Sequence, residues 1–443
     1  MKQNFFNLPE GLAELGEEVC GSLTEAFRKR DEITEYNQLK MLSAFIKNGV
    51  AESHFAASTG YGYGDRGREV LERVFADAMG AEDALLRHNF MSGTHTLTVA
   101  LFGVLRPGDH MLSITGRPYD TIHGVIGIGE ESCPGSLKEF GIGYRETELT
   151  AEGKIDLPAV LSEIGREKPK MVYIQRSRGY TTRPSLTVEE IGEAARAVKE
   201  IYPDIIVMVD NCYGEFVETT EPTEQGADLI AGSLIKNPGG GIAPTGGYIA
   251  GRADLVEMCA CRLTTPSTGK EIGATLGLSR ELFLGVYNAP TVTGEAVKSA
   301  MFAAALFEKL GFGVSPRAEE KRADIIQTIL LGTPEGLVDF CRGIQKGSPV
   351  DSAVTPEAWE MPGYDSKVIM AAGAFTNGSS IELSADAPMR EPYAVWMQGG
   401  TIFSSAKMSI LLAAAEMLRK GRASLPQKES AAVRCPKRCR ETD

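Results

Sequence analysis

The sequence predicts an α/β protein, with a mostly parallel, doubly wound sheet followed by a smaller C-terminal α+β domain. Two patterns carry this. From Ala84 to Leu263 short apolar runs alternate with helical patterns. That alternation is what parallel strands, joined by crossover helices and covered on both faces, leave in a sequence. Near Pro290 the pattern changes, and strand-like runs crowd together between fewer helices, as a more antiparallel sheet requires.

The elements follow in order. From about Leu12 to Lys47 apolar and charged residues alternate at helical spacing, interrupted at Gly21, so residues 1–57 read as a helical N-terminal arm. A Gly/Tyr-rich loop, "STGYGYGDRGRE" (Ser58 to Glu69), opens a large domain assigned to 58–289. "REVLERVFADAMG" is a helix stopped by Gly80. The strands "ALLRHNF", "DHMLSIT", "KMVYIQRS", "DIIVMVD", "ADLIAGSLIK" and "TGGYIAG" then alternate with helices such as "GTHTLTVALFGVL" and "TVEEIGEAARAVKEIY". The small domain, 290–421, starts with the helix "TVTGEAVKSAMFAAALFEKLG" and includes strands "DIIQTILLG", "KVIMAAGAF", "SSIELS" and "YAVWMQGG". Residues 422–443 are polar and basic, and disorder is expected there.

Composition narrows the function. The chain has 443 residues, 43% hydrophobic and 24% charged, with a formal charge of −13. An acidic chain repels polynucleotides, so no nucleic-acid partner is expected. No apolar run reaches the roughly 18 residues of a membrane span. The N-terminus has no apolar segment of the signal-peptide kind, so a cytoplasmic protein is expected, its eight cysteines being reduced thiols. Cys259-x-Cys261 and the Cys435, Cys439 pair have no histidine nearby, since all five histidines lie between His54 and His123, so no metal site is expected.

Chemistry concentrates at predicted strand ends, where doubly wound sheets bind ligands. "GSLIKNPGGG" places Lys236 past a buried strand; it is a solvated loop lysine, a phosphate ligand or a covalent catalyst. Asp210 ends "VMVD", as the N-cap of a helix starting at Tyr213 or as partner of a cationic ring nitrogen. Ser92, Gly93 and Thr94 open a helix, where they are plain caps or a phosphate cradle. Tyr119 follows the next strand, as a turn tyrosine or a ring-stacking one. Arg176, Arg178 and Arg183 line the pocket or pair with acids of the chain. The Walker and dinucleotide glycine patterns both fail. One ligand uses the whole set: pyridoxal 5′-phosphate, with its phosphate, flat ring, ring nitrogen and lysine-reactive aldehyde.

"STGYGYGDRGRE", "NFMSGTHT", "VDNCYGEFVE", "DLIAGSLIKNPGGGIAPTGGYIAG" and "ADAPMREPYAVWMQGG" resemble the methionine gamma-lyase family, which also carries the name aluminium resistance protein. The family is related to the cystathionine lyases, among fold-type-I pyridoxal phosphate enzymes. The resemblance runs from about Leu39 to Gly421. It implies that Lys236 holds the cofactor covalently and then works as a base, its pKa lowered in a dry cationic site. Asp210 would pair with the ring nitrogen, Ser92, Gly93, Thr94 and Ser233 would hold the phosphate, and Tyr119 would stack on the ring. Gly239 to Gly241 would let backbone approach the cofactor or a neighbouring subunit. Arg390 is the candidate for the substrate carboxylate, its bland alternative being a surface arginine. A homodimer or homotetramer with shared active sites is implied, Tyr61, Tyr63, Arg66 and Arg68 being candidates to reach a neighbour's phosphate, and Lys236, Tyr61 or Tyr63 to assist the thiol's departure. The threonine usual before the lysine is Ile235 here. The implied reaction is carbon–sulfur elimination from a sulfur amino acid, giving thiol, 2-oxo acid and ammonia. Other pyridoxal phosphate reactions on the same fold (β-elimination, aminotransfer, racemisation) and a non-catalytic metal-tolerance scaffold stay open.

Overall fold

A computed structural model of the chain describes residues 5–129, 133–361 and 366–426. The basic tail with Cys435 and Cys439 lies outside them.

Seven strands form the large sheet: β1 (Asp83–Arg87), β2 (His110–Ser113), β3 (Gly143–Glu146), β4 (Met171–Gln175), β5 (Ile206–Asp210), β6 (Leu229–Ser233) and β7 (Gly247–Gly251). Their order is β1-β7-β6-β5-β4-β2-β3. Neighbours from β6 to β3 pair in parallel, while β7 runs antiparallel to both β1 and β6. Strand side chains alternate between faces. Met171 and Tyr173 of β4 therefore enter one core and Val172 and Ile174 the other. The helices divide accordingly. On one face lie α3 (Arg66–Met79), α6 (Leu157–Arg166) and α7 (Val188–Ile201). On the other lie α4 (Gly93–Val104), α5 (Asp120–Ile126) and α8 (Ala253–Leu263). Apolar burial on both faces is why the central strands read as unbroken hydrophobic runs.

The second sheet is wholly antiparallel. Its strands are β8 (Gly313–Ser315), β9 (Gln327–Leu330), β10 (Val368–Ala371), β11 (Ser384–Pro388) and β12 (Ala394–Gln398), in the order β10-β11-β12-β9-β8. With α10 (Pro334–Lys346) and α11 (Phe403–Arg419) it builds a third core.

Several expectations change. The arm is two helices, α1 (Leu12–Ser22) and α2 (Thr24–Lys47), and Leu12, Leu15 and Val19 of α1 are buried in the C-terminal core. The helix expected after Pro290 is α9, and it begins earlier, at Ser279, and runs unbroken to Lys309. Leu282 to Ala289 pack into one core and Ala296 to Phe307 into another, so α9 spans the position where the sequence pattern divides the chain. "SSIELS" is not a strand. Ser380–Glu382 is a 3₁₀ turn, and Leu383, at φ 103, interrupts the extended backbone before β11. No apolar run announces β3, whose residues "GYRE" are all half-buried at a sheet edge, or β8, only three residues long.

Phe307 is fully buried, with ring centroids 5.2 Å from Phe340 and 5.8 Å from Phe312. Phe307→Ala is expected to cost about 3–5 kcal/mol and to show as a lowered thermal midpoint.

Candidate active site

The parallel register brings the strand ends together. Gln175 of β4 stands opposite Asp210 of β5, and Asp210 opposite Ala231 of β6, two residues before Ser233. Gly93, Thr94, Tyr119, Asp210, Ser233 and Lys236 line one cavity of about 230 Å³ with residues of the second sheet. Six of the predicted positions therefore converge.

Ser92 does not line it. It is exposed and caps α4, its Oγ accepting the His95 N–H at 3.1 Å. That cap leaves the first amides of α4, at Gly93 and Thr94, to the cavity, where the helix dipole favours an anion. A Cβ on Gly93 would stand 3.3 Å from Ser233 Cβ, a tight contact, and 3.8 Å from Cys212 Sγ, so the helix end packs closely on the end of β6.

Asp210 is buried, and its Oδ1 accepts the Cys212 N–H at 3.1 Å. It caps no helix. Residues 212–217 are turns, with Tyr213 at φ 72 and Phe216 at φ 62. Asn237 pins this segment, its Nδ2 donating to the carbonyls of Tyr213 and Glu215 at 3.0 Å each. Burial pushes the Asp210 carboxyl up, against the pull of Lys236 and the Cys212 amide. A carboxylate so placed gains most from a cationic partner.

Lys236 points its Nζ at the Tyr213 ring, 4.0 Å from the centroid. Burial acts to lower its pKa, but Cys212, Tyr213 and Asp210 outweigh burial and hold it above the ordinary lysine value. The groups facing Lys236 in this chain are thus acids, whereas the expected lowering belongs to the cofactor-loaded site. Tyr119 is in the wall as expected. Its amide donates to Gln175 Oε1, and its ring packs edge-on against Tyr180, centroids 5.4 Å apart.

Tyr61, Tyr63, Arg68 and Arg390 lie outside this chain's cavity wall. Tyr61 and Tyr63 are 74% and 64% exposed. Arg68 is buried, donating to the carbonyls of Gly62, Gly273 and Glu271, so it braces the tyrosine loop. Arg66 opens α3 beside it. Arg390 is exposed just past the end of β11. Arg176 pairs with Glu218 and Glu221, while Arg178 and Arg183 donate to backbone carbonyls such as those of Ser315 and Gln175. Gly240 serves packing: a Cβ there would meet the Gly285 carbonyl of α9 at 2.5 Å.

Sequence reasoning missed Cys212, Tyr213, Ser380, Asp386 and Gln398, all in the wall. An acid inside the otherwise apolar run from Ala385 to Pro388 was the readable signal for Asp386. The left-handed turn that turns Tyr213 to Lys236 left no such signal.

The arrangement fits pyridoxal 5′-phosphate: a side-chain-free helix end for the phosphate, a buried acid for the ring nitrogen and a lysine amine for the aldehyde. Fold and site together define a fold-type-I pyridoxal phosphate enzyme. The chain matches the methionine gamma-lyase family over residues 12–418 and belongs to that family of carbon–sulfur lyases. A carbon–sulfur lyase involved in aluminum resistance from Clostridium novyi NT is 50% identical, with 93% of this chain and 97% of that one covered and a TM-score of 0.89. YnbB of Bacillus subtilis (strain 168), an uncharacterized protein, is 48% identical over 411 residues, which are 93% of this chain and 97% of the relative. The pyridoxal-5′-phosphate dependent protein YhfS of Escherichia coli shares the fold at 16% identity, with 87% of this chain and 96% of that one covered and a TM-score of 0.60. Among the described residues no helix is long and apolar enough to cross a membrane.

Below the lysine strand, Glu215 accepts the Tyr248 hydroxyl at 2.7 Å, and burial pushes its carboxyl up to about 8. A folded pKa above the ordinary 4.5 means that the stability Glu215 contributes is complete below that value and is lost as pH rises toward 8. Glu215→Gln keeps the acceptor and removes the titration. Relative to the wild type, the variant is expected to gain about 1–3 kcal/mol between about pH 5 and 8, read from denaturant midpoints at each pH.

Proposed function

We propose that this chain uses pyridoxal 5′-phosphate to cleave a carbon–sulfur bond of a sulfur amino acid, releasing thiol, 2-oxo acid and ammonia as a methionine gamma-lyase does. The observation that carries the reading is Lys236 in one cavity with Asp210 and the bare start of α4. The Gly93 and Thr94 amides and the Ser233 hydroxyl would hold the phosphate. Asp210 would keep a proton on the ring nitrogen, and Tyr119 would cover the ring. When bound, the cofactor supplies an electron sink for the carbanion at Cα. Lys236 would hold the cofactor covalently and would serve as the base for the Cα proton. Its acidic surroundings favour the ammonium, so it must shed a proton before either task.

A second copy of the chain completes the site in this proposal. Tyr61, Tyr63 and Arg66 are exposed and so placed to reach a neighbour's phosphate, the tyrosines also to assist thiolate departure, while Arg68 sets the loop's shape. Arg390, exposed past β11, has the same freedom toward a substrate carboxylate. A cytoplasmic homodimer or homotetramer follows from the same reading.

The purified protein is expected to absorb near roughly 420 nm when loaded. Lys236→Ala is expected to abolish that band and to lower keto-acid release about 10²–10⁴-fold or more. An unchanged band and unchanged turnover in the variant would sink the proposal. On a panel of sulfur amino acids, 2-oxobutyrate marks γ-elimination and pyruvate marks β-elimination.

A further inference from the structure

The second sheet supplies the rest of the cavity wall, and with it a third charged group. The charged residues lining the cavity are Asp210, Lys236 and Asp386, without an arginine. The proposed function commits Asp210 and Lys236 to the cofactor. Asp386 is then the charged side chain that this chain's own lining leaves for the substrate.

Asp386 is built in firmly. It sits in β11 between Met370 of β10 and Trp396 of β12. The Gln398 amide donates to its Oδ2 at 2.9 Å and to Ser384 Oγ at 2.8 Å, while Ser384 and Gln398 are themselves paired across the strands. The Tyr180 hydroxyl is its other neutral donor. A buried carboxylate held by neutral donors alone gains from a cation that meets it. No arginine or histidine in the lining competes for it, and the nearest built-in cation, Lys236, is occupied when the cofactor is bound.

We propose that Asp386, braced by Gln398, sets substrate choice by receiving a second positive charge. The favoured substrate is a thioether amino acid whose sulfur substituent ends in an ammonium. This rests on the lyase reading above and adds to it the charge of the group bonded to sulfur. An acid in the wall equally disfavours a substituent ending in a carboxylate. Burial pushes the Asp386 carboxyl up to about 6, against the pull of Gln398, Tyr180 and Lys236; Tyr213 and Cys341 are the other titratable groups beside it. The preference should therefore strengthen as pH rises and the group ionises, and fade as pH falls.

The test compares S-(2-aminoethyl)-L-cysteine with S-propyl-L-cysteine, which match in length and differ in the terminal ammonium. At about pH 8 the loaded wild type is expected to favour the aminoethyl compound about tenfold or more in kcat/KM, mostly through KM. Asp386→Asn should bring the ratio near one by raising KM for the aminoethyl compound, with kcat on the propyl compound held within about threefold. Asp386→Glu should restore part of the ratio, which a merely structural role would not do. Equal handling of the two compounds by the wild type would overturn the inference. So would an Asp386→Asn variant that loses kcat equally on both, since the carboxylate would then serve Lys236. Failure of the lyase reading looks different: no sulfur amino acid of any charge yields a keto acid. Calorimetric dissociation constants of the same two compounds then decide the matter, with a tenfold difference abolished by Asp386→Asn supporting the inference and equal constants overturning it.

Discussion

An ammonium at the floor of a protein cavity has to be matched by acids and π-faces, and the Lys236 site is arranged around that constraint. Tyr213 lies under the amine, Asp210 ends the next strand, and Cys212 stands between them. Each acid there is held up by burial as the lysine is held up by the acids. The mutual dependence makes these groups one electrostatic unit, in which removing a member leaves another unpaired at a cost larger than the pair's net worth. The unit would suit a cofactor that brings its own ring cation.

Positioning comes from elements remote from the chemistry. The parallel pairing of β5 with β6 sets Asp210 and Ser233 at one edge, and no side-chain contact could correct a slip in that register, because a one-residue shift turns every side chain to the opposite face. Glycines then let the layers close. Gly93 sets the start of α4 closely on the end of β6, and Gly240 admits α9 against the turn after Lys236. Helix α9 is buried in the cores of both sheets, so the C-terminal wall of the cavity, with Asp386 and Gln398, is carried on the same rigid element that backs the lysine turn. The aromatic series Tyr119, Tyr180 and Trp396, with ring centroids 5.4 Å apart at each step, ties the two sheets across the other side.

Much of this was legible in the residues. The alternation of apolar runs and helical patterns identified the central strands, because burial on both faces leaves no room for polar side chains. Asp210, Ser233 and Lys236 stood out because a charge or hydroxyl at the end of such a run needs a reason. The edge strand β3 escaped, since a half-buried strand needs no apolar run. Ser92, read as a plain cap or as part of a phosphate cradle, caps α4, its hydroxyl oxygen accepting the His95 amide. Arg390 was a substrate-carboxylate candidate by resemblance, and its exposed position past β11 is a property of where the strand ends.

By itself the sequence determined the α/β class, the strand-end placement of the lysine and the aspartate, and the family to which they belong. These depend on local periodicity and on short motifs, which are written in consecutive residues. Only the tertiary structure decided that acids surround Lys236, that Tyr213 turns to it through a left-handed backbone, and that an aspartate from the second sheet closes the cavity. Those contacts join residues up to 150 positions apart, from Lys236 to Asp386. Their energies come from burial and through-space charge, which no stretch of consecutive residues records.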